Sequence, residues 1–191
     1  MILCERLIKL NDYEQQTVNL SEYDPRWPGL FEQEKVSISS IFGAEDIHIE
    51  HIGSTAVPGL AAKSVIDIML GVTELNSVDF RLDALKAQGW FYVPEYEDVM
   101  PFRRFFLKCD ANGARSHHLH VVEYSGEFWH RHLIFRDYLR KHPEEARAYG
   151  DFKYSLLAKN IDTHKVYSEA KGVFIGALAQ RAQLWWTAAK G

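Results

Sequence analysis

Cysteine is scarce in this chain. Two are present among 191 residues, Cys4 and Cys109, too few for a disulfide framework or a cysteine-rich zinc site. Long apolar runs are missing as well. No stretch approaches the roughly 20 residues that a membrane-spanning helix needs. The start, "MILCERLIKLNDYEQQ", carries charges early and lacks the apolar core of a secretory leader. A reducing, cytoplasmic setting is expected on these grounds. Nor is there an excess of positive charge. The formal net charge is −4, which gives no electrostatic reason for non-specific attraction to nucleic acid. Internal repeats and low-complexity segments are absent.

What remains is ordinary globular material, 47% apolar and 25% charged, in a length that suits one domain with a proper core. The expected organisation is one domain over residues 1–191, with residues 1–17 as a possible N-terminal extension. "TVNLSEYDP" reads as extended and closes on a turn at Asp24-Pro25. "RWPGLFEQEKVSISSIF" reads as a helix with Phe31, Val36, Ile38 and Ile41 on its buried face and Gly43 as its stop. "DIHIEHIG" alternates as a strand, placing Ile47, Ile49 and His51 on one side and His48, Glu50 and Ile52 on the other. "SVIDIML" is a near-continuous apolar run, the mark of a strand covered on both faces.

"SVDFRLDALKAQGW" predicts a helix ending at Gly89. "RRFFLKC" and "HHLHVVE" are strands around "DANGARS", whose Asn112-Gly113 signals a hairpin. The chain is helical from Trp129 onward, with Pro143 in a first turn and Asp162 or Thr163 as cap of a last helix. The order predicts an α+β domain, a mixed sheet flanked by helices with a helical C-terminal section.

The stretch "HIGSTAVPGLAAKSVIDIML", residues 51 to 70, poses a chemical question. An acid, Asp67, stands inside a buried apolar run, where an isolated carboxylate is expensive. Gly53 permits close backbone approach to a ligand, and Ser54 and Thr55 can open a helix whose N–H groups face a phosphate. Taken alone, the same three residues describe a strand-to-helix turn with a cap. His118 and His120, two apart on a strand, share one face, with His117 on the other. With Asp67 they make a three-donor set suited to a borderline metal such as zinc. Hydrogen-bonded strand histidines are the plainer alternative.

Together with "YDPRW", "HHLHVVE", "FRDYLRKHPEEARAY" and "YSEAKGVFI", this stretch resembles the GrpB family of the nucleotidyltransferase superfamily, from about Tyr23 to the C-terminal helix. The resemblance implies a nucleotidyltransferase-like fold and a site for a nucleotide triphosphate or other phosphorylated small molecule with a divalent metal (Mg, Mn or Zn). It implies Gly53, Ser54 and Thr55 on the phosphates. It also implies Asp67 on the metal, and His120 in place of a lost carboxylate. Lys63, Arg104 (with Arg103 beside it), Arg115, Arg136 and Lys171 are the candidate phosphate cations. Arg136 and Asp137 can equally be an ion pair holding a helix to the sheet. Two departures matter. The superfamily pattern has acids two residues apart, and here Met69 occupies the second position. Ser64 stands where the family has proline. Glu50 or His51 is a candidate for the missing ligand. A catalytically degenerate binding protein is therefore the alternative to a metal-dependent nucleotidyltransferase.

Overall fold

The computed structural model describes residues 15–43 and 46–190. Most of the expected extension over residues 1–17 lies outside them. Helix α1 spans Trp27–Phe42. Its buried side chains are Trp27, Phe31, Ile38 and Phe42, at spacings of four and seven that return to one helical face. Val36 falls off that stripe and is 70% exposed, so its expected place in the core is corrected. Gly43 ends the helix with φ +63°.

The strands are β1 His48–Ile52, β2 Ile66–Val72, β3 Phe91–Tyr92, β4 Arg103–Cys109 and β5 Arg115–Glu123. They form one five-stranded sheet in the order β1-β2-β5-β4-β3. Only the β2–β5 pairing is parallel, so the sheet is mixed. The expected helix after β2 divides. A 3₁₀ stretch covers Leu75–Arg81, and α2 is confined to Leu82–Ala87 before the turn at Gly89. The β4–β5 hairpin turns where Asp110 accepts from the backbone N–H groups of Asn112 and Ala114, with Gly113 at φ +83°.

Three helices follow: α3 Glu127–Lys141, α4 Pro143–Ala158 and α5 His164–Lys190. Thr163 immediately precedes α5. None of the described helices is long and apolar enough to cross a membrane. Segment 17–21, expected to be extended, bridges Thr17 to Thr163 and Ser21 to Ala62.

The sheet separates two chemistries. One face, built on Ile66, Ile68, Leu70, Leu119, Val121 and Phe106, packs against α1 and α2 as the main core. On the other, Ile52, Met69 and Val122 meet Trp129 of α3. Gly71 makes room for that indole, since a Cβ there would lie 2.8 Å from the ring. Helices α3, α4 and α5 close a second apolar cluster around Leu139, Tyr149 and Leu178. The space between the sheet and these helices becomes the pocket.

Candidate functional site

Asp67 sits opposite Ile52 on β1 and opposite His118 on β5. Directly opposed residues share a face, so Asp67, His118 and His120 stand together on the helix-covered side. Nδ1 of His118 is 3.0 Å from Oδ1 of Asp67, and Nε2 of His120 is 3.8 Å from the same oxygen. One donor atom from each of the three lies within 4.8 Å of the others. Burial works to raise the Asp67 carboxyl, and the hydrogen bond with His118 and the nearby His120 imidazole outweigh it, leaving the group well below the ordinary carboxylate range. Burial likewise pushes both histidines down, which favours the neutral form that ligates metals.

Gly53 answers half of the sequence puzzle. It follows β1 with φ 72° and ψ −172°, a backbone region open essentially to glycine alone. A Cβ there would come within 2.4 Å of Asp67 Oδ2. The glycine therefore leaves room for the carboxylate as well as for a ligand. The expected helix at Ser54-Thr55 is corrected: only a three-residue 3₁₀ turn forms, Ser54–Ala56. Its Thr55 faces inward, donating to the Val65 carbonyl at 3.3 Å and meeting His51 Nε2 at 3.0 Å. His51 is stacked on Phe31 on the core face, where burial pushes it down to about 4. It is not a ligand candidate for Asp67. Glu50 does share Asp67's face, opposite Met69, but it accepts from Arg136 Nη1 at 2.5 Å. The second acid position is filled by Met69, fully buried.

A cavity of about 630 Å³ opens over the triad. Among the described residues its charged lining is lopsided: Asp67 is the one acid, and Lys63, Arg131, Arg136, Lys153 and Lys171 are cations. Arg136 is balanced by Glu50 and Asp137 and also holds the His51 carbonyl at 3.0 Å. It ties α3 to β1 and so matches the ion-pair reading. Lys63 Nζ lies 3.3 Å from His164 Nδ1, and Lys171 lies over the Tyr167 ring at 4.6 Å. Burial, with Lys63 adding to it, pushes Lys171 down to about 8.

One site residue escaped the sequence. Lys153 is 2% exposed. Its ammonium donates to Ser54 Oγ at 3.2 Å and to the Ala61 carbonyl, and lies over Tyr149. Burial first, then Lys171 and Lys63, bring it down to about 7. A signal existed: Ala146, Tyr149, Gly150, Lys153 and Leu156 form the buried stripe of α4, and a lysine within such a stripe is unusual. Of the adjacent pair Arg103 and Arg104, it is Arg103 that reaches the triad, its Nη1 meeting His120 Nδ1 at 3.0 Å. The expectation for Arg104 is corrected. Pairing with Val121 turns Arg104 to the other face, where it holds Asp79 and Glu97 at 3.2 and 2.9 Å. Arg115 starts β5 and is not among the cavity-lining residues.

The donor set fits a borderline divalent ion. Ligand atoms about 2.0–2.2 Å from one ion in a tetrahedral site lie roughly 3.3–3.6 Å apart, and the His–Asp separations of 3.0 and 3.8 Å bracket that spacing. One carboxylate with two imidazoles suits zinc or manganese better than magnesium.

The mixed sheet with flanking helices is a nucleotidyltransferase-like fold. It overlays the structure described as that of a cytoplasmic RNA terminal U-transferase with a TM-score of 0.51 at 14% identity, over 84% of this chain and 47% of that one, a likeness of fold alone. The chain belongs to the GrpB family: the family model described as GrpB protein matches residues 17–181. A crystal structure of conserved protein GrpB from Enterococcus faecalis superposes with a TM-score of 0.78 at 33% identity, covering 88% of this chain and 99% of that one. UPF0157 protein YqkA of Bacillus subtilis is 36% identical over 91% of this chain, which spans 49% of YqkA.

Proposed function

We propose that the pocket binds a phosphorylated small molecule, a nucleoside triphosphate being the best-matched class, together with a divalent ion at Asp67. The observation that carries this reading is a pair of lysines, the buried Lys153 and the half-buried Lys171, in a cavity where Asp67 is the one acid among the described lining residues. These two lysines, with no ion pair among the described residues, call for an anionic occupant. Lys63, Lys153 and Lys171 offer positive charge to phosphate oxygens, and Ser54 offers a hydroxyl beside Lys153. The apolar wall from Val57, Phe135, Leu139 and Ile175 receives the non-phosphate part.

A divalent ion on Asp67 and the imidazole side of the site would supply Lewis-acid polarisation of a phosphoryl oxygen. The chain's own groups neutralise and orient the phosphates, which is most of what phosphoryl transfer asks of a protein. The fold shared with a terminal U-transferase supports nucleotidyl transfer as the reaction class.

A second reading, binding without transfer, is favoured by Met69. Two-metal catalysis needs shared carboxylates, and the nearest acid on that face, Glu50, is committed to Arg136. Equilibrium binding of labelled nucleoside triphosphate with Mg, Mn and Zn in turn tests the common core. Binding is expected with Mn or Zn, with one ion per chain, and its metal-dependent part disappears in Asp67→Asn. Pyrophosphate release then separates transfer from binding alone. No nucleotide binding under any of the three ions would sink both readings.

A further inference from the structure

Arg103 is 7% exposed and has no acidic partner among the described residues. Tyr96, Phe105 and Phe128 surround its guanidinium at 5.5, 5.0 and 6.0 Å. Its Nε is buried without a hydrogen-bond partner. Among the described residues its hydrogen-bond partner is His120, with Nη1 3.0 Å from Nδ1.

A guanidinium donates through five N–H bonds, accepts none, and keeps its proton. His120 Nδ1 must therefore present a lone pair to it. In the neutral ring the proton then sits on Nε2, the nitrogen that faces Asp67 Oδ1 at 3.8 Å. A ring nitrogen carrying a proton has no lone pair for a cation. His118 differs. Its Nδ1 meets Asp67, its Nε2 has no hydrogen-bond partner, and no arginine dictates its tautomer.

We propose that Arg103 is a positioning residue that holds His120 with its proton on Nε2, so that His120 serves the pocket as a hydrogen-bond donor and Asp67 and His118 hold the ion without it. The roles of ion and ligand rest on the function proposed above; the tautomer does not. In that arrangement His120 donates to an anionic oxygen placed beside Asp67, and the ion keeps two protein donors, Asp67 and His118.

Long-range ¹H–¹⁵N spectra of the histidine-labelled full chain, free of metal and nucleotide, read the tautomer directly. Nε2–H is expected at His120, and Nδ1–H in the native chain would overturn the proposal. Arg103→Met keeps the apolar contact and removes the donor. It should free the ring to take Nδ1–H once a metal ion occupies Nε2, and Zn or Co(II) affinity should rise about tenfold as Nε2 becomes a third ligand, the scale typical of groups one step behind a metal ligand. Arg103→Lys, whose ammonium also donates to Nδ1, should keep the native tautomer and affinity. Should Arg103→Met retain both the tautomer and the native metal affinity with an unchanged melting curve, Arg103 is only packing. If the native chain shows Nε2–H yet binds no nucleotide with any ion, the functional reading falls and the role of Arg103 stands.

Discussion

The two faces of β2 follow opposite rules within one seven-residue strand. On the core face, Ile66, Ile68, Leu70 and Val72 are at most 1% exposed and pack against α1 and α2. On the other face stand Asp67, Met69 and Gly71: a carboxylate, a flexible thioether and a residue with no side chain. The first face is chosen for burial. The second is divided between packing and a site: Gly71 and Met69 receive the Trp129 indole, and Asp67 carries a charge beside two histidines. A strand covered on both faces thus need not be hydrophobic for one reason.

The comparison breaks most visibly at Ile68. Replacement by alanine should cost about 2–5 kcal/mol, as for other buried aliphatic truncations, read as a fall in the denaturant midpoint. Nucleotide affinity of the folded fraction should not change. A large loss of affinity at full folding would mean that the two faces are not separable.

Gly53→Ala strikes the other face. Backbone strain at φ 72° costs about 1–3 kcal/mol, and the new Cβ displaces the Asp67 carboxylate. Metal-dependent binding should fall with stability, and a variant with native metal affinity would show that Asp67 tolerates the intrusion.

Lys153→Met should lower triphosphate affinity about tenfold, the worth of a charge-assisted hydrogen bond, while leaving the melting temperature at pH 7 level or higher. The sign follows from linkage. Lys153 stands at about 7 in the fold against an ordinary 10.5, so between those values the unfolded chain binds more protons, and stability from this residue rises with pH. The substitution should flatten that rise. Anion binding runs the other way: it favours the charged lysine, so it takes up protons and weakens as pH climbs through about 7 to 8. Calorimetry in two buffers of different ionisation heat measures the uptake, and its absence would remove the lysines from the ligand.

The smallest effect belongs to Arg104→Ala. Its partly exposed pairs with Asp79 and Glu97 are worth up to about 1 kcal/mol, and ligand affinity should not move. A clear loss of nucleotide binding would return Arg104 to the site in place of Arg103.

Much of this was readable in the chain. A glycine ending one apolar run and an acid inside the next placed Gly53 beside Asp67, and the period of two placed His118 with His120. The element order gave the mixed sheet and the helical C-terminal section. The adjacent arginines were not readable, because alternation sends one to each face and register decides which. Here the β4–β5 ladder carries an irregularity at Lys108/Cys109, and a one-residue slip exchanges the faces. Lys153 was missed because lysine on a helix is normally solvated; only the positions of its buried neighbours betray it. The 3₁₀ turn at Ser54 reflects the short path from β1 into the loop, held by Arg140 donating to the Ala56 carbonyl at 2.9 Å.

Asp67 and His118 are 51 positions apart in sequence and meet only through the parallel β2–β5 pairing. The unfolded chain therefore holds no fragment of the site, and whatever occupies the pocket must select the folded form. By mass action a ligand at a hundred times its dissociation constant adds about 2.7 kcal/mol to stability. Heat itself then becomes the reporter: a library of phosphorylated compounds can be ranked by how far each delays melting, with no reaction assumed and no product to detect.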